Sequence, residues 1–318
     1  MFLRIGSIAE VLSASELSAL NRIKRNKLIF VYLSLIPILG IYLIVRIIPV
    51  CQNIYYSFFF SQIGKPAARF TGLENYGALL IDEAFHRAFG NTTYFAVFVT
   101  IFGVIFSLFI ALMLAKNTRT NPFYETAYFL PVITSMVPVA IVWKWIYDPT
   151  YGLLNYILSF FKIAPIAWLV YPNTALIAII IMSIWKILGY NMIIFIVGLR
   201  NIPSVYLEAA EIDGAKAGQI LRKITLPLLR PIILLVFIIT TINSYNVFTQ
   251  VYVMTTGSQG SPGAPLKTMV FEIYENAFRF YKTGYAASEA VILLLIILFL
   301  TFVQFGVNGA LSKERKHR

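Results

Sequence analysis

The chain has 318 residues, of which 59% are apolar and 13% are charged, and its formal net charge is +12. Soluble domains carry about 45–50% apolar and about 25% charged residues, so this composition excludes a soluble globular domain and a disordered chain. The single cysteine, Cys51, allows neither an internal disulfide nor a cysteine metal cluster, and we expect it to be a small buried apolar side chain.

Six apolar runs are each long enough to cross a bilayer as a helix, which takes roughly 20 residues. They predict an all-α integral membrane protein, because every run is far too long for a strand of a membrane barrel. A membrane domain of residues 28–308 would lie between an N-terminal segment, 1–27, and a basic tail, 309–318. The predicted spans are Leu28–Pro49, Thr92–Ala115, Ala127–Tyr147, Ala175–Leu199, Pro231–Val251 and Ala286–Asn308.

The connections between these spans differ in their content of lysine and arginine. The four segments on one side hold 16 of these residues, and the three longer segments on the other side hold 7. The positive-inside rule therefore predicts a multi-pass protein of the cytoplasmic (inner) membrane with both termini in the cytoplasm. The loosely amphipathic stretch 7–21 favours a position on the inner membrane surface. The basic tail either fixes this topology or binds anionic lipid.

Two connections contain short helical patterns of their own. In the outer connection, the apolar stretch 152–158 predicts one or two turns of helix. In the inner connection, 200–230, Pro203 suits a first helical turn and Gly214 suits a left-handed stop. A second short helix, Lys216–Ile224, is predicted to end before Pro227. Two short helices joined at a glycine would form a rigid knuckle, and the alternative is an ordinary solvated connector.

The inner connection also carries a spaced motif. Glu208-Ala209-Ala210, three residues, Gly214, nine residues, Ile224, one residue and Leu226-Pro227 stand in this order. This pattern resembles the EAA loop of permease subunits in binding-protein-dependent ATP-binding-cassette (ABC) importers. The resemblance implies the type I importer permease fold. It also implies that this loop docks on a separate ATPase.

Four further segments are similar to permeases of the maltose-type carbohydrate branch. They are Gly72-Leu73-Glu74-Asn75-Tyr76, the stretch from Leu130-Pro131 to Trp143-Lys144-Trp145, Gly152-Leu153-Leu154-Asn155 and Gly284-Tyr285-Ala286-Ala287. The resemblance implies the compact six-helix form and a carbohydrate cargo, of which an alginate-type oligosaccharide is one specific candidate.

The resemblance assigns the coupling role to individual residues of the knuckle. Glu208 would make the charged contact, the two alanines would allow close approach, and Gly214 would form the corner. The full coupling set is Glu208, Ala209, Ala210, Asp213, Gly214 and Ala215.

The resemblance also implies a set of partners. They are a second, related permease subunit in a heterodimer, two ATPase subunits, a periplasmic or extracellular solute-binding protein, a carbohydrate and membrane lipid. Nucleic acid is not expected. No cofactor is expected in this chain, because the closest match to a phosphate-binding loop, 260–268, has Leu266 where that loop needs glycine. ATP and Mg would be bound by the ATPase subunits.

Polar side chains within a membrane span mark either helix contacts or a substrate path. In the fifth run Asn243, Asn246 and Gln250 are spaced to share one helical face, and the fourth run adds an aromatic and polar patch. Amides and aromatic faces suit sugars, whereas bonds between helices or to the partner permease are the alternative. The predicted pathway residues are Trp185, Lys186, Gly189, Tyr190, Asn191, Asn243, Tyr245, Asn246 and Gln250.

Lys186 lies 11 residues after Ala175, or roughly 16 Å along a helix. The only carboxylate within the six runs is Glu289, near an outer end. An unpaired lysine at this depth would make a cavity positive and suited to an anionic sugar such as a uronate. The alternative is a lysine that is paired across the interface with the partner permease.

Three other functions remain as alternatives to a sugar permease. An ABC permease for a different solute would share the knuckle. An ion-coupled carrier would need membrane carboxylates or broken helices at its coupling site. A membrane enzyme would need a catalytic or metal site, and none is expected because the two histidines, His86 and His317, lie in a loop and in the tail.

Overall fold

The computed structural model describes residues 14–61, 69–115, 118–256 and 266–316. The chain divides into two units, Met1–Tyr56 and Ser57–Arg318. In the first unit the described residues, 14–56, form one long helical segment with one π-helical stretch, and this segment provides the candidate span Arg25–Tyr56. The large apolar side chains of this span are exposed, as is Cys51, which contradicts the buried position expected for that residue. Its elements are α1 (Ala14–Tyr42), the π-helical Leu43–Ile47 and α2 (Ile48–Tyr56).

The second unit contains a two-stranded antiparallel sheet and twelve α-helices among the described residues. The strands are β1 (Phe59–Phe60) and β2 (Arg69–Phe70), with Phe59 opposite Phe70. The helices are α3 (Glu74–Ile81), α4 (Glu83–Leu114), α5 (Asn121–Ile133), α6 (Met136–Ile146), α7 (Leu153–Phe160), α8 (Pro172–Arg200), α9 (Ser204–Ile212), α10 (Ala217–Ile220), α11 (Leu226–Tyr245), α12 (Thr249–Thr255), α13 (Met269–Tyr274) and α14 (Thr283–Lys316), with π-helical stretches at Leu221–Thr225 and Glu275–Arg279.

The all-α class is confirmed. Within the described residues, five helical segments are long and apolar enough to cross a membrane, and a bent pair of helices makes a sixth if it counts as one span. The five are Arg25–Tyr56, Glu83–Leu114, Pro172–Arg200, Ala217–Tyr245 and Thr283–Gly306. Part of the stretch 7–21 lies outside the described residues. From Ala14 onward its backbone is helical and continuous with the first span.

The third run is not the single straight helix that its apolar length predicts. It consists of α5 and α6, which meet at an angle of 101°. In a continuous helix the Thr134 carbonyl would accept a hydrogen bond from the N–H of residue 138, but residue 138 is proline and has no N–H. Thr134 is extended instead, with ψ 136°. The helix therefore breaks four residues before Pro138.

The fifth run differs from its prediction at both ends. The helix after the knuckle does not end before Pro227, since a π-helical stretch, Leu221–Thr225, connects α10 to α11 in one 29-residue span. The wider π-helical turn lets the helix continue although Pro227 has no N–H to donate. At the other end α11 stops at Tyr245 and the chain resumes as α12 at Thr249. The hydroxyl of the buried Thr268 donates to the carbonyl of Val247 at 3.1 Å, which gives this carbonyl within the break a hydrogen-bond partner.

The core of the second unit lies where α4, α8 and α11 pack together. Small residues on the buried faces of α4 and α8 let the backbones approach, as is usual between membrane helices. One such close approach is at Gly189, where an added Cβ would lie 2.0 Å from the Tyr128 carbonyl oxygen of α5. Gly189 therefore fixes how closely α5 packs on α8.

The predicted short helix of the outer connection is present as α7. Its buried Asn155 organises the surrounding loop, because its side-chain amide donates to the carbonyls of Pro149 and Ile166 at 3.2 and 2.9 Å. Its side-chain oxygen accepts from the Ile166 N–H and from the Trp168 indole. The Gly152-Leu153-Leu154-Asn155 segment thus has a structural role in this chain.

Candidate functional site

A cavity of about 440 Å³ lies between α4, α8 and α11, with the two broken spans completing its wall. Phe95 and Val99 of α4 form an apolar side. Val132 and Met136 line the cavity from either side of the bend between α5 and α6. The polar side comes from the middle of α8, the end of α11 and the break that follows it, through Ser183, Lys186, Asn191, Thr240, Asn243, Ser244, Asn246, Thr249 and Gln250.

Six of the nine predicted pathway residues line this cavity. They are Lys186, Tyr190, Asn191, Asn243, Asn246 and Gln250. The expectation that the last three share one helical face is wrong, because α11 ends before Asn246. The break nevertheless directs all three to the same cavity. An amide-rich wall beside aromatic rings can hold several hydroxyl groups.

The other three predicted pathway residues lie elsewhere. Trp185 packs edge-on against Trp143, with ring centroids 5.5 Å apart, in a separate apolar pocket. Gly189 lies against the backbone of α5. Tyr245 is buried and donates to Thr93 at 3.4 Å. These residues position helices in this chain and do not border the cavity.

The hydrogen bonds of two cavity residues are made largely to neighbouring helices. Asn191 is buried and donates to Thr240 at 3.1 Å, which links α8 to α11. The Lys186 ammonium donates to the main-chain carbonyls of Pro131, Val132 (3.4 Å) and Thr134 (2.5 Å). Among the ion pairs of the described residues none involves Lys186.

Sequence reasoning missed several residues that line the cavity. Ser183 lies three residues before Lys186 and shares its helical face, so helical spacing could have identified it. Phe248 adjoins the polar residues of the fifth run but lies in the unpredicted break. Phe95 lies in a run where phenylalanine is frequent, so its sequence context does not distinguish it from the other aromatic residues of α4.

The predicted knuckle is a closed local structure. After α9, Gly214 has φ +76°, and its N–H donates to the Glu211 carbonyl while the Ala215 N–H donates to Ala210. These two bonds form a Schellman motif, in which the left-handed residue is almost always glycine. The Gln219 side chain then accepts from the Lys216 N–H at 2.8 Å and starts α10.

The knuckle presents both charge and apolar surface. Glu208, Ala209 and Asp213 are exposed, whereas Ala210 is buried and Ala215 is partly buried. Ile212 is 86% exposed, and Val205 and Tyr206 are exposed as well. Exposed large apolar side chains next to a carboxylate are typical of a protein-binding surface.

A polar cluster lies at the opposite end of the helices. Asp82 caps α4 and accepts from the Tyr285 hydroxyl, while Lys267 pairs with Glu272 at 3.1 Å and also with Glu275. Glu275 pairs with Arg279 as well, at 2.6 Å. Burial alone would raise the pKa of the Glu275 carboxyl, but its bonds to Lys267 and Arg279 outweigh burial and lower the pKa.

Burial and hydrogen bonding also act in opposite directions on the pKa values of two other groups in this polar cluster. Burial would lower the pKa of Lys267, yet its two carboxylate partners raise the pKa above the ordinary value. Burial would raise the pKa of Asp82, but bonds from Tyr285 and from the N–H groups of Ala84 and Phe85 lower it. Asp82, Lys267 and Glu275 are therefore charged over the neutral range of pH.

Comparison with known proteins gives the family. Residues 103–313 match the family described as binding-protein-dependent transport system inner membrane component. The chain belongs to this family. It is a membrane permease subunit of an ABC importer, which is a transport subunit and not an enzyme.

Individual relatives cover most of the permease. YurN of Bacillus subtilis (strain 168), a probable ABC transporter permease, is 33% identical over 89% of this chain and 96% of its own length. MalF of Thermococcus litoralis, a trehalose/maltose transport system permease, is 30% identical over 85% of this chain and 90% of its own. A solved bacterial ABC transporter involved in alginate import is 24% identical, covers 91% of this chain and 99% of that one, and has a TM-score of 0.76. The last match shows that the permease has the same fold.

Proposed function

We propose that the permease translocates a carbohydrate, and specifically an oligosaccharide, through the cavity between α4, α8 and α11. The amide-rich wall of that cavity carries the proposal, because Asn191, Asn243 and Gln250 can exchange hydrogen bonds with sugar hydroxyls while Tyr190 and Phe248 offer ring faces. The name of the Thermococcus litoralis relative, a trehalose/maltose permease, favours the same class of cargo.

The proposed energy source is a pair of separate ATPase subunits that bind ATP and Mg. The knuckle would dock on one of them through Glu208, Ala209, Ala210, Asp213, Gly214 and Ala215. The exposed carboxylate of Glu208 suits a cationic partner group, and the exposed Ile212 would be covered by the contact. The Schellman closure supports this role, because a rigid knuckle transmits displacement to α8 and α11.

The proposed assembly contains a second, related permease as a heterodimer, two ATPases and a solute-binding protein outside. It would lie in the inner membrane with both termini and the knuckle in the cytoplasm. The excess of Lys and Arg on the knuckle side supports this orientation.

The charge of the sugar is a finer question. Lys186 lies at the cavity wall, where its ammonium group would suit an acidic sugar such as a uronate. Its three N–H donors already have main-chain acceptors, however, so a direct contact with the cargo would cost existing bonds. An acidic oligosaccharide is therefore the second candidate, and neutral and acidic sugars form separate arms of the test.

The decisive experiment measures ATP hydrolysis by the assembled complex in liposomes, with the solute-binding protein and a panel of neutral and acidic oligosaccharides. We expect one class of sugar to stimulate hydrolysis, and Glu208→Lys to abolish the stimulation. Glu83→Lys makes the same charge change at the opposite end of the helices and should leave it intact. Unchanged stimulation in Glu208→Lys would contradict the coupling role of the knuckle. If no sugar stimulated hydrolysis, the proposal that the cargo is a carbohydrate would be wrong.

A further inference from the structure

Two lysines within the apolar runs lie at the C-terminal ends of neighbouring helices. Lys186 of α8 lies at the bend between α5 and α6, and Lys144 of α6 lies at the end of α12. Both regions adjoin the cavity, since Met136 lines it just after the α5–α6 bend and Thr249 and Gln250 line it from the first turn of α12.

The bend leaves carbonyl groups without their helical partners. In an unbroken helix the Pro131 carbonyl would accept from residue 135 and the Thr134 carbonyl from residue 138. The chain is extended at Thr134 and Ser135, and residue 138 is proline. A break within a membrane span is stable only where other groups satisfy the freed carbonyls.

Lys186 supplies the missing donors. An ammonium group has three N–H donors, and the carbonyls of Pro131, Val132 and Thr134 accept all three. Its positive charge also lies at the C-terminal end of α5, where the helix dipole is negative. The side chain is buried between the two helices and thus joins α8 to the bend.

Lys144 makes a similar contact at the C-terminal end of a second helix. Its ammonium donates to the carbonyls of Val253 and Thr256, each at 3.2 Å, at the C-terminal end of α12. Lys186 therefore links α8 to the α5–α6 bend, and Lys144 links α6 to α12. The two lysines connect, in series, α8, the α5–α6 pair and α12, which all contribute residues to the cavity wall.

We propose that Lys186 and Lys144 are positioning residues, together called the clamp, that hold the α5–α6 bend and the C-terminal end of α12 in place and so maintain the shape of the translocation cavity. They act on the main chain, not on the cargo. Lys186 would then contribute to transport of every cargo to a similar extent, whatever the charge of that cargo. The inference rests on the proposed function only through its transport readout, because the bend can be measured without any sugar.

The test measures the bend directly in the assembled complex. Spin labels at Phe123→Cys and Trp145→Cys, both exposed positions, report the distance between α5 and α6 in a Cys51→Ser background. We expect Lys186→Met to widen or shift the distance distribution, and to lower uptake of neutral and acidic oligosaccharides by the same factor, about tenfold or more. Lys186→Arg should restore the native distance and much of the uptake, because arginine also donates several bonds.

Matched variants separate the clamp from other roles. Lys162→Met removes an exposed lysine of the outer loop and should change neither readout. Lys144→Met should lower uptake of both sugar classes alike, and Lys144→Arg should restore it. Selective loss of acidic cargo with an unchanged distance would show that Lys186 is a ligand and would overturn the proposal.

Two further outcomes decide the remaining cases. An unchanged distance distribution in Lys186→Met would overturn the clamp whatever happens to uptake. If Lys186→Met prevents assembly, Lys186→Arg decides, since a native distance supports the clamp and a widened one overturns it. Failure of the proposed function would be visible separately, as absence of sugar-stimulated ATP hydrolysis in the unaltered complex.

Discussion

The knuckle and the cavity wall are held together in different ways. The knuckle closes through hydrogen bonds between residues at most five positions apart, from Ala210 to Gln219. The cavity wall depends on contacts such as Lys186 to Pro131, 55 residues away, and Asn191 to Thr240, 49 residues away. The knuckle can therefore stay rigid while its surroundings move, whereas the cavity changes whenever its helices move relative to one another. This difference is what a subunit needs if it receives force at one place and changes shape at another.

The closest helix contact of the cavity region should be the most sensitive to substitution. In Gly189→Ala the new Cβ would lie 2.0 Å from the Tyr128 carbonyl oxygen, so α5 must move. We expect a loss of about 1–3 kcal/mol of stability and a strong loss of uptake, measured by thermal unfolding in detergent and by transport. Gly90→Ala, where an added Cβ meets nothing within 4 Å, is the control and should be neutral. Equal behaviour of the two variants would contradict the packing role.

The knuckle should respond to the backbone conformation of a single residue. Gly214 has φ +76°, so Gly214→Ala should cost about 1–2 kcal/mol locally and lower sugar-stimulated ATP hydrolysis about fivefold or more. Binding of sugar at the cavity should not change. Gly218→Ala lies in the helical α10 with open space around it and should leave hydrolysis intact or slightly improve assembly. Loss of coupling in both variants would show that the corner geometry is not the cause.

Individual amides of the cavity should have moderate effects on cargo affinity. Asn243→Ala removes one set of sugar hydrogen bonds, worth about 0.5–1.5 kcal/mol, and should raise the half-saturating sugar concentration by roughly two- to tenfold. The maximal rate should fall less. Asn201→Ala, at the end of α8 beside the knuckle, should leave the sugar dependence unchanged. A change confined to the maximal rate would place Asn243 outside the sugar contacts.

The polar cluster at the opposite end of the helices should give the smallest effect, together with a pH dependence. Because the pKa of Glu275 is lowered in the folded chain, its stabilising contribution is complete above its ordinary pKa and is lost as pH falls through the lowered value. Arg279 is 71% exposed, so Arg279→Gln should cost less than about 1 kcal/mol at neutral pH and move acid unfolding to higher pH.

A matched variant tests whether the buried carboxylate causes this acid shift. Arg87 is 67% exposed and pairs at 3.8 Å with Glu83, which is itself exposed. Arg87→Gln should leave the pH of acid unfolding unchanged, as measured by unfolding temperature across pH. An equal shift in both variants would assign the effect to general surface charge.

The sequence predicted the two regions to different extents. The knuckle was predicted nearly in full, because proline and glycine act on their own backbone and the motif lies within one loop. Its second helix was placed wrongly, since it continues through Pro227 into α11. For the cavity, six of nine residues were found, because polar residues in an apolar span are conspicuous.

The breaks that shape the cavity were not predicted. Apolar length alone describes Ala127–Tyr147 and Pro231–Val251 as single helices, yet both are interrupted. A break is stable only when other parts of the chain satisfy the freed backbone groups. Lys186 donates to the carbonyl of Thr134, which is 52 residues away in the chain, and Thr268 donates to the carbonyl of Val247, which is 21 residues away.

The sequence by itself determined the all-α membrane class, the family motif and the local closure of the knuckle, because these follow from composition and from bonds between near neighbours. Only the tertiary structure decided where the spans break, which polar side chains reach one cavity, and that the donors of Lys186 are directed to carbonyl groups. The physical reason is that backbone groups in a membrane must be paired, and their partners can come from helices far away in the chain.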